Sequence, residues 1–285
     1  MFAAIGIVIV LGAVLGGYMM EHGNFHVLVQ PAELVIIFGA AIGGFIIASP
    51  LKVIKATLGS LSRLFGGKAY SRDDYQEVLL MMNEIFFKIR KEGLVSIESD
   101  IDDPEKSPIF SKFPKFVHNH HALAFLTDTL RTLTIMDIAA HELASLLEYE
   151  IEAHHEESLV PSKSINNVAD ALPGLGIVAA VLGVVITMQK LDSPPAVLGE
   201  HIGAALVGTF LGVLMCYGFV GPMAKNLENM AGEDQEYLNV LKVALLAFVS
   251  NPSPQIAVEF GRRVIPAELR PTFVELEELI KQAKK

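Results

Sequence analysis

The sequence predicts an all-α fold: a polytopic membrane protein with four transmembrane helices and a helical cytoplasmic domain. Three observations lead there. Apolar residues make up 52% of the 285-residue chain and charged ones only 19%, with a mean hydropathy of +0.45. The charges are bunched, so that almost uncharged stretches alternate with charged ones, the pattern of membrane spans joined by a water-exposed part. No stretch of alternating polarity is long enough to read as a sheet.

The first apolar run, Phe2 to Met20, has full span length. It lacks a basic leader region and a small-residue cleavage site, so it reads as a retained helix and not a signal peptide. The second run, Leu34 to Ser49, is closed by Pro50. The third, Val168 to Met188, starts near Asp170 and ends before Lys190. The fourth, Ile202 to Met223, lies between Glu200 and Lys225. In hydrocarbon each must satisfy its own backbone groups, and a helix does so. The chain divides accordingly into spans one and two (1–50), a cytoplasmic helical domain (51–167), spans three and four (168–223) and a cytoplasmic tail (224–285).

Orientation follows from basic residues. The short connection His22–Pro31 has no Lys or Arg, and Lys190–Glu200 has only Lys190. Lys52, Lys55, Arg63, Lys68 and Arg72 follow span two, and Lys225 follows span four. The positive-inside rule places both short loops outside, and both termini, the 51–167 segment and the tail in the cytoplasm.

Between the spans, Ser71 to Glu92 reads as an amphipathic helix. Ser71 caps it with Asp74 three positions on. Val78, Leu79, Met82, Ile85, Phe86 and Ile89 form its apolar face, and Gly93 ends it. A connection rich in Pro and Asp, 100–114, precedes helices at 122–134 and 138–157, the latter acidic at its end. The tail holds helices at 225–250 and 273–284 with a Pro-rich break between them. Gly12 and Gly16, Gly39 and Gly43, and Gly208 and Gly212 each put two glycines on one helix face, where backbones can approach.

Several function classes fall away. With 22 Lys and Arg against 32 Asp and Glu, a net charge of −10 repels phosphate, so nucleic acid is not an expected partner. The single cysteine, Cys216, reads as a small buried apolar side chain. His118, His120 and His121, and His154 and His155, cluster without nearby Cys or a helical pair carrying a carboxylate base, so no metal is expected. No phosphate loop or nucleophile elbow is present, so neither an enzyme nor a cofactor is expected.

The apolar centres of the four spans contain no Asp, Glu, Lys, Arg or His. A proton relay needs a titratable group in the membrane, so if ions cross, a partner should supply the carboxylate. Thr209 and Thr187 are polar span residues; each reads either as bonded back to its own helix or as facing a pore. Pro173 and Pro222 read as kinks or helix starts, or, placed at the same depth near the inner ends of their spans, as a hinge. Arg90 and Glu98 would by default be solvated surface charges.

Span three reads D-A-L-P-G-L-G-I-V-A-A-V-L-G-V-V from Asp170, and span four V-G-T-F-L-G-V-L-M-C-Y-G-F-V-G-P from Val207. With Q-P-A-E-L-V-I-I from Gln30, E-Y-E-I-E-A-H from Glu148 and I-A-V-E-F-G-R from Ile256, the chain resembles, over essentially its whole length, the MotA family of flagellar motor stator subunits within the MotA/TolQ/ExbB group. The resemblance implies a multi-pass protein of the bacterial inner membrane. It implies a pentameric ring of this subunit around a MotB dimer that supplies the ion-binding aspartate and the peptidoglycan anchor. It also implies torque on the rotor protein FliG through Arg90, Glu98 and Glu150, a coupling hinge at Pro173 and Pro222, and an ion pathway at Thr209. Sodium-driven relatives place threonines at the positions of Ala180 and Gly208. A bare sodium ion needs several oxygen ligands, whereas a proton needs one acceptor, so Ala180 and Gly208 favour protons. The alternatives are an energiser of outer-membrane processes of the ExbB and TolQ kind, whose span count usually differs, and a non-conducting scaffold.

Overall fold

The computed structural model describes residues 2–66, 70–250 and 253–283; Lys68, one of the orientation charges, and residue 284, the expected end of the last helix, lie outside them. Among the described residues every regular element is helical. The chain forms two compact units, Met1–Lys68 with Ser158–Met230, and Ala69–Glu157 with Ala231–Lys285.

The first unit opens with α1 (Phe2–Met20), the short α2 (Phe25–Leu28), α3 (Pro31–Ala48) and α4 (Leu51–Gly66). Asn24 caps α2, its side chain accepting from the His26 N–H at 3.0 Å. Pro31 stands at the start of α3, where its fixed φ suits a helix and its missing N–H leaves no bond unmade. The third span and the segment before it form one helix, α9 (Ala140–Met188), which continues through Pro161 and Pro173. The fourth span is α10 (Pro195–Leu214), followed by a π turn (Met215–Val220) and α11 (Gly221–Ser250). Four helical stretches are long and apolar enough to cross a membrane: Ala3–Met20, Phe25–Ala48, and parts of Ala140–Met188 and Pro195–Ser250.

The π turn has a local cause. Proline lacks an N–H and its ring presses on the preceding turn, and Pro222 stands two residues after the widened turn's last residue, Val220. Gly221 donates its N–H to Cys216 O, and a Cβ at Gly221 would stand only 2.8 Å from that oxygen, so glycine is needed there. The interior of this unit gathers Ile37, Ala41, Ala169, Leu172, Ala179 and Cys216. A second cluster joins Leu64, Ile165, Ala224 and Leu227, beside which Ser162 donates to Ala224 O at 2.8 Å.

The second unit contains α5 (Arg72–Glu92), a 3-10 turn (Leu94–Ile97), α6 (Glu98–Asp102), α7 (Pro114–Val117) and α8 (His120–Ile135). The N-terminal part of α9 and the C-terminal part of α11 join them, with α12 (Pro254–Arg263) and α13 (Phe273–Ala283). The expected capping box is formed: Ser71 N–H donates to Asp74 Oδ2 at 2.8 Å, and Asp74 N–H points to Ser71 Oγ at 3.4 Å. Gly93 ends α5 with φ 87°, its N–H donating to Ile89 O, a conformation that suits glycine. All six residues of the expected apolar face of α5 are buried. Phe86 stacks on Phe248 of α11 with ring centroids 4.2 Å apart, and Tyr70 stacks on Tyr237 at 4.2 Å. The Tyr70 hydroxyl donates to Asp234 and accepts from Asn119. Burial first, and then the charge of Asp234, push that phenol well above its usual range.

The structure adds α4 and α12, which had no expected counterpart. It also fuses the separately expected helix 138–157 and span 168–188 into α9. A proline inside a long helix costs one hydrogen bond, and neighbouring helices can compensate for that loss.

Candidate functional site

In the first unit α9 and α10 run antiparallel with their backbones in contact. A Cβ built at Gly176 would lie 2.7 Å from Gly208 O and 3.1 Å from Gly212 Cα; one at Gly212 would lie 2.5 Å from Leu172 O. At Gly183 it would meet Ala205 Cβ at 2.7 Å. Of the three expected glycine pairs only Gly208 and Gly212 serve such an approach. At Gly12, Gly16, Gly39 and Gly43 a Cβ would meet nothing within 4 Å. Gly176 and Gly183 complete the contact from α9. Their spacing of seven residues, two helical turns, was the signal available in the sequence.

This contact brings Ala180, Gly208 and Thr209 together. A Cβ at Gly208 would stand 3.2 Å from Ala180 N, and one at Gly176 would stand 3.3 Å from Thr209 Cα. Ala180 and Thr209 are half-buried and Gly208 is buried. Thr187 is bonded back to its own helix, its hydroxyl donating to Gly183 O at 2.8 Å. Cys216 is a buried free thiol in an apolar cluster.

The same contact holds a residue that the span boundaries left out. With span two read from Leu34, Glu33 fell outside; with α3 beginning at Pro31, Glu33 is in its first turn and 7% exposed. A Cβ at Gly208 would come 2.6 Å from Glu33 Oε2, and one at Gly183 3.6 Å from Glu33 Oε1. Oε2 is buried and has no hydrogen-bond partner among the described residues. Taking Pro31 as a helix start would have placed this carboxyl inside the span.

Pro173 is half-buried in α9 and Pro222 is exposed in the first turn of α11. They are not at one depth. Leu172 O lies against Gly212 and Ser162 bonds Ala224, which sets Pro222 near the level of residue 164 in α9. At 1.5 Å rise per residue, Pro173 is about 13 Å further along the axis. Pro161 lies much nearer to the level of Pro222.

In the second unit Arg90, Glu98 and Glu150 are all exposed. Arg90 is in the last turn of α5, and Glu98 starts α6 across the Gly93 bend and the 3-10 turn. Their corner is pinned from inside. Lys88 Nζ donates to Asp100 Oδ2 at 2.6 Å, and Ser107 Oγ donates to Asp100 Oδ1 at 2.6 Å. Ser107 Oγ in turn accepts from the Ile109 and Phe110 N–H groups. Glu150 projects from α9 separately, and nearby Glu148 pairs with Lys242 at 3.2 Å. The histidines are used locally: His121 and His154 lie with ring centroids 4.5 Å apart, His118 bonds Pro114 O and His155 bonds Ala231 O. Among the described residues no three His, Cys, Asp or Glu side chains converge as a metal site.

Four helical spans with a close glycine contact between two of them, together with a charged helical unit, define a multi-pass helical membrane protein. Residues 4–93 match the family model described as "Motility protein A N-terminal", and residues 118–239 match "MotA/TolQ/ExbB proton channel family". Motility protein A of Escherichia coli (strain K12) is 42% identical over 284 residues, which is 100% of this chain and 96% of that protein. Motility protein A of Salmonella typhimurium is 40% identical with the same coverage of both. The solved flagellar MotAB stator complex from Bacillus subtilis shares the fold, with a TM-score of 0.77 at 24% identity over 96% of this chain and 100% of that one. The chain belongs to the MotA/TolQ/ExbB proton channel family as one of its Motility protein A members, a multi-pass protein of the inner membrane. Its role is that of a stator subunit that turns ion flow into flagellar rotation. The whole-length match and the N-terminal family match favour this over the outer-membrane energisers.

Proposed function

We propose that this subunit works with a MotB-type partner, five copies ringing two of the partner's membrane helices, and passes protons. The observation that carries the reading is the whole-length similarity to Motility protein A; the MotAB assembly named for the B. subtilis neighbour supports the partner. Both termini, the 51–167 segment and the tail face the cytoplasm, and the short His22–Pro31 and Lys190–Glu200 connections face outward, as the basic residues suggest. Pro173, Pro222 and, by its level, Pro161 act as the flexible points between membrane and cytoplasmic parts. The rotor protein FliG is the target of Arg90, Glu98 and Glu150.

Proton binding neutralises the partner's aspartate, and a neutral carboxyl moves along apolar helix surface at far lower cost than a carboxylate. The driving force is about 2.3 kcal/mol per charge per 100 mV. Exposed charge pairs are worth about 0–1 kcal/mol each, weak enough to form and break at every step. Protons fit better than sodium because Ala180 contributes no side-chain oxygen and a side chain at Gly208 would collide with Glu33 and the Ala180 backbone. The test is complementation of a strain lacking both stator proteins, with this chain and its partner, in sodium-free medium. Rotation there supports proton drive; rotation that requires sodium overturns it.

A further inference from the structure

We propose that Glu33 is a proton-binding station within this subunit, taking protons from water at the outward-facing His22–Pro31 connection and passing them toward the partner's carboxylate. The inference rests on the proton-conducting reading above and assigns part of that path to this chain.

The geometry carries it. The Glu33 carboxyl is buried at the contact of α3 with α9 and α10, and Oε2 has no hydrogen-bond partner among the described residues. The notch that holds it exists because Gly183 and Gly208 lack side chains: a Cβ at Gly208 would come 2.6 Å from Oε2. What α9 and α10 present there is Ala179, Ala180, Gly183, Ala205 and Gly208, none of them titratable. Charged and titratable groups at this end of the unit are Tyr18 at the end of α1, Glu21, His22 and His26 in the segment up to α3, Lys190 and Asp192 in the connection after α9, and Glu200 and His201 in α10; all are exposed except the half-buried Tyr18 and His201. None of them bonds Glu33, and Lys190 instead contacts His201 at 3.1 Å.

An unpaired carboxylate in such a place is costly, and a purely structural role would call for a satisfied hydrogen bond or an apolar residue. A carboxyl that alternates between protonated and ionised forms fits the site, because an intramembrane acid without a partner marks a proton route. Hydronium gives its proton to a Glu33 oxygen, forming O–H and leaving water. That O–H then breaks as the proton moves through water to the partner's carboxylate, which restores the Glu33 carboxylate. No other reactant is consumed.

The test measures proton flux through the complete stator complex in liposomes against outside pH, for wild type, Glu33→Gln and Glu33→Asp. If wild type passes no protons, the proton-conducting reading fails, and this inference with it. With wild type conducting, the station predicts that Glu33→Gln lowers flux severalfold and flattens its pH dependence, whereas Glu33→Asp keeps flux with a moved midpoint. Wild-type flux and profile in Glu33→Gln would overturn it, and so would a loss that leaves the profile's shape unchanged, since packing alone does that. Should Glu33→Gln not assemble, Glu33→Asp decides: a moved midpoint supports the station and an unmoved one overturns it.

Discussion

Lys88 Nζ lies 2.6 Å from Asp100 Oδ2, and the Asp100 side chain is 2% exposed while that of Lys88 is 24% exposed. The pair ties the end of α5 to α6 underneath the exposed Arg90 and Glu98. Removing one partner leaves a charge in a poorly solvated place, at a cost of about 3 kcal/mol. Lys88→Met is therefore expected to lower the melting temperature of the purified complex and to weaken torque although Arg90 and Glu98 are intact. A Lys88→Met complex as stable as wild type would show that Asp100 is held by Ser107 alone.

The contact of α9 with α10 makes a graded steric prediction. Gly212→Ala places a methyl 2.5 Å from Leu172 O and 2.9 Å from Gly176 Cα. Backbone cannot rotate away as a side chain does, so overpacking of at least about 1–3 kcal/mol follows. Gly199→Ala, in the same helix, meets nothing within 4 Å and should gain about 0.5–1 kcal/mol of helix stability. Expression level and detergent melting curves of the two variants compare them directly.

The proposed rotor contact makes a prediction about charge at the α5–α6 corner. Arg90→Glu and Glu98→Lys are each expected to reduce swimming speed while leaving the fold intact, because both side chains are exposed and exposed charges contribute little to stability. A compensating charge reversal on the rotor protein should restore part of the speed. Restoration by none of the rotor's charge reversals would count against direct pairing.

Glu259 makes one contribution to the expected acid sensitivity of the second unit. Arg262 grips its carboxylate with two bonds, Nε to Oε2 at 2.7 Å and Nη2 to Oε1 at 2.8 Å, and Arg263 adds a third at 2.8 Å. Foremost the Arg262 bond holds that carboxyl below its ordinary 4.5. A pKa depressed in the folded state contributes stability above the unfolded value, and loses it as pH falls through the folded one. Glu259→Gln should thus cost about 1–2 kcal/mol at neutral pH and show a flatter stability profile below about 4.5. Chemical denaturation at a series of pH values reads both.

Local rules made much of the fold legible. The α1 boundaries match the apolar run from Phe2 to Met20, and the Ser71–Asp74 box and Gly93 bracket α5 where capping chemistry puts them. The amphipathic α4 and α12 were missed. The 51–66 stretch was read only for its basic residues, and Pro254 was taken for part of a break although it begins a helix. At the candidate site Thr209 was singled out as a polar span residue, and Ala180 and Gly208 through family resemblance. Glu33 was lost to a span boundary set three residues late.

By itself the sequence determined the element type and the spans. Hydrocarbon admits only backbone that bonds to itself, and caps, prolines and apolar runs act over a few residues. Tertiary structure alone decided which glycines touch, that Pro173 and Pro222 lie at different levels, and that the Glu33 carboxyl is enclosed by α9 and α10. Those facts depend on how distant helices pack and on their relative register, which single-helix periodicity does not contain.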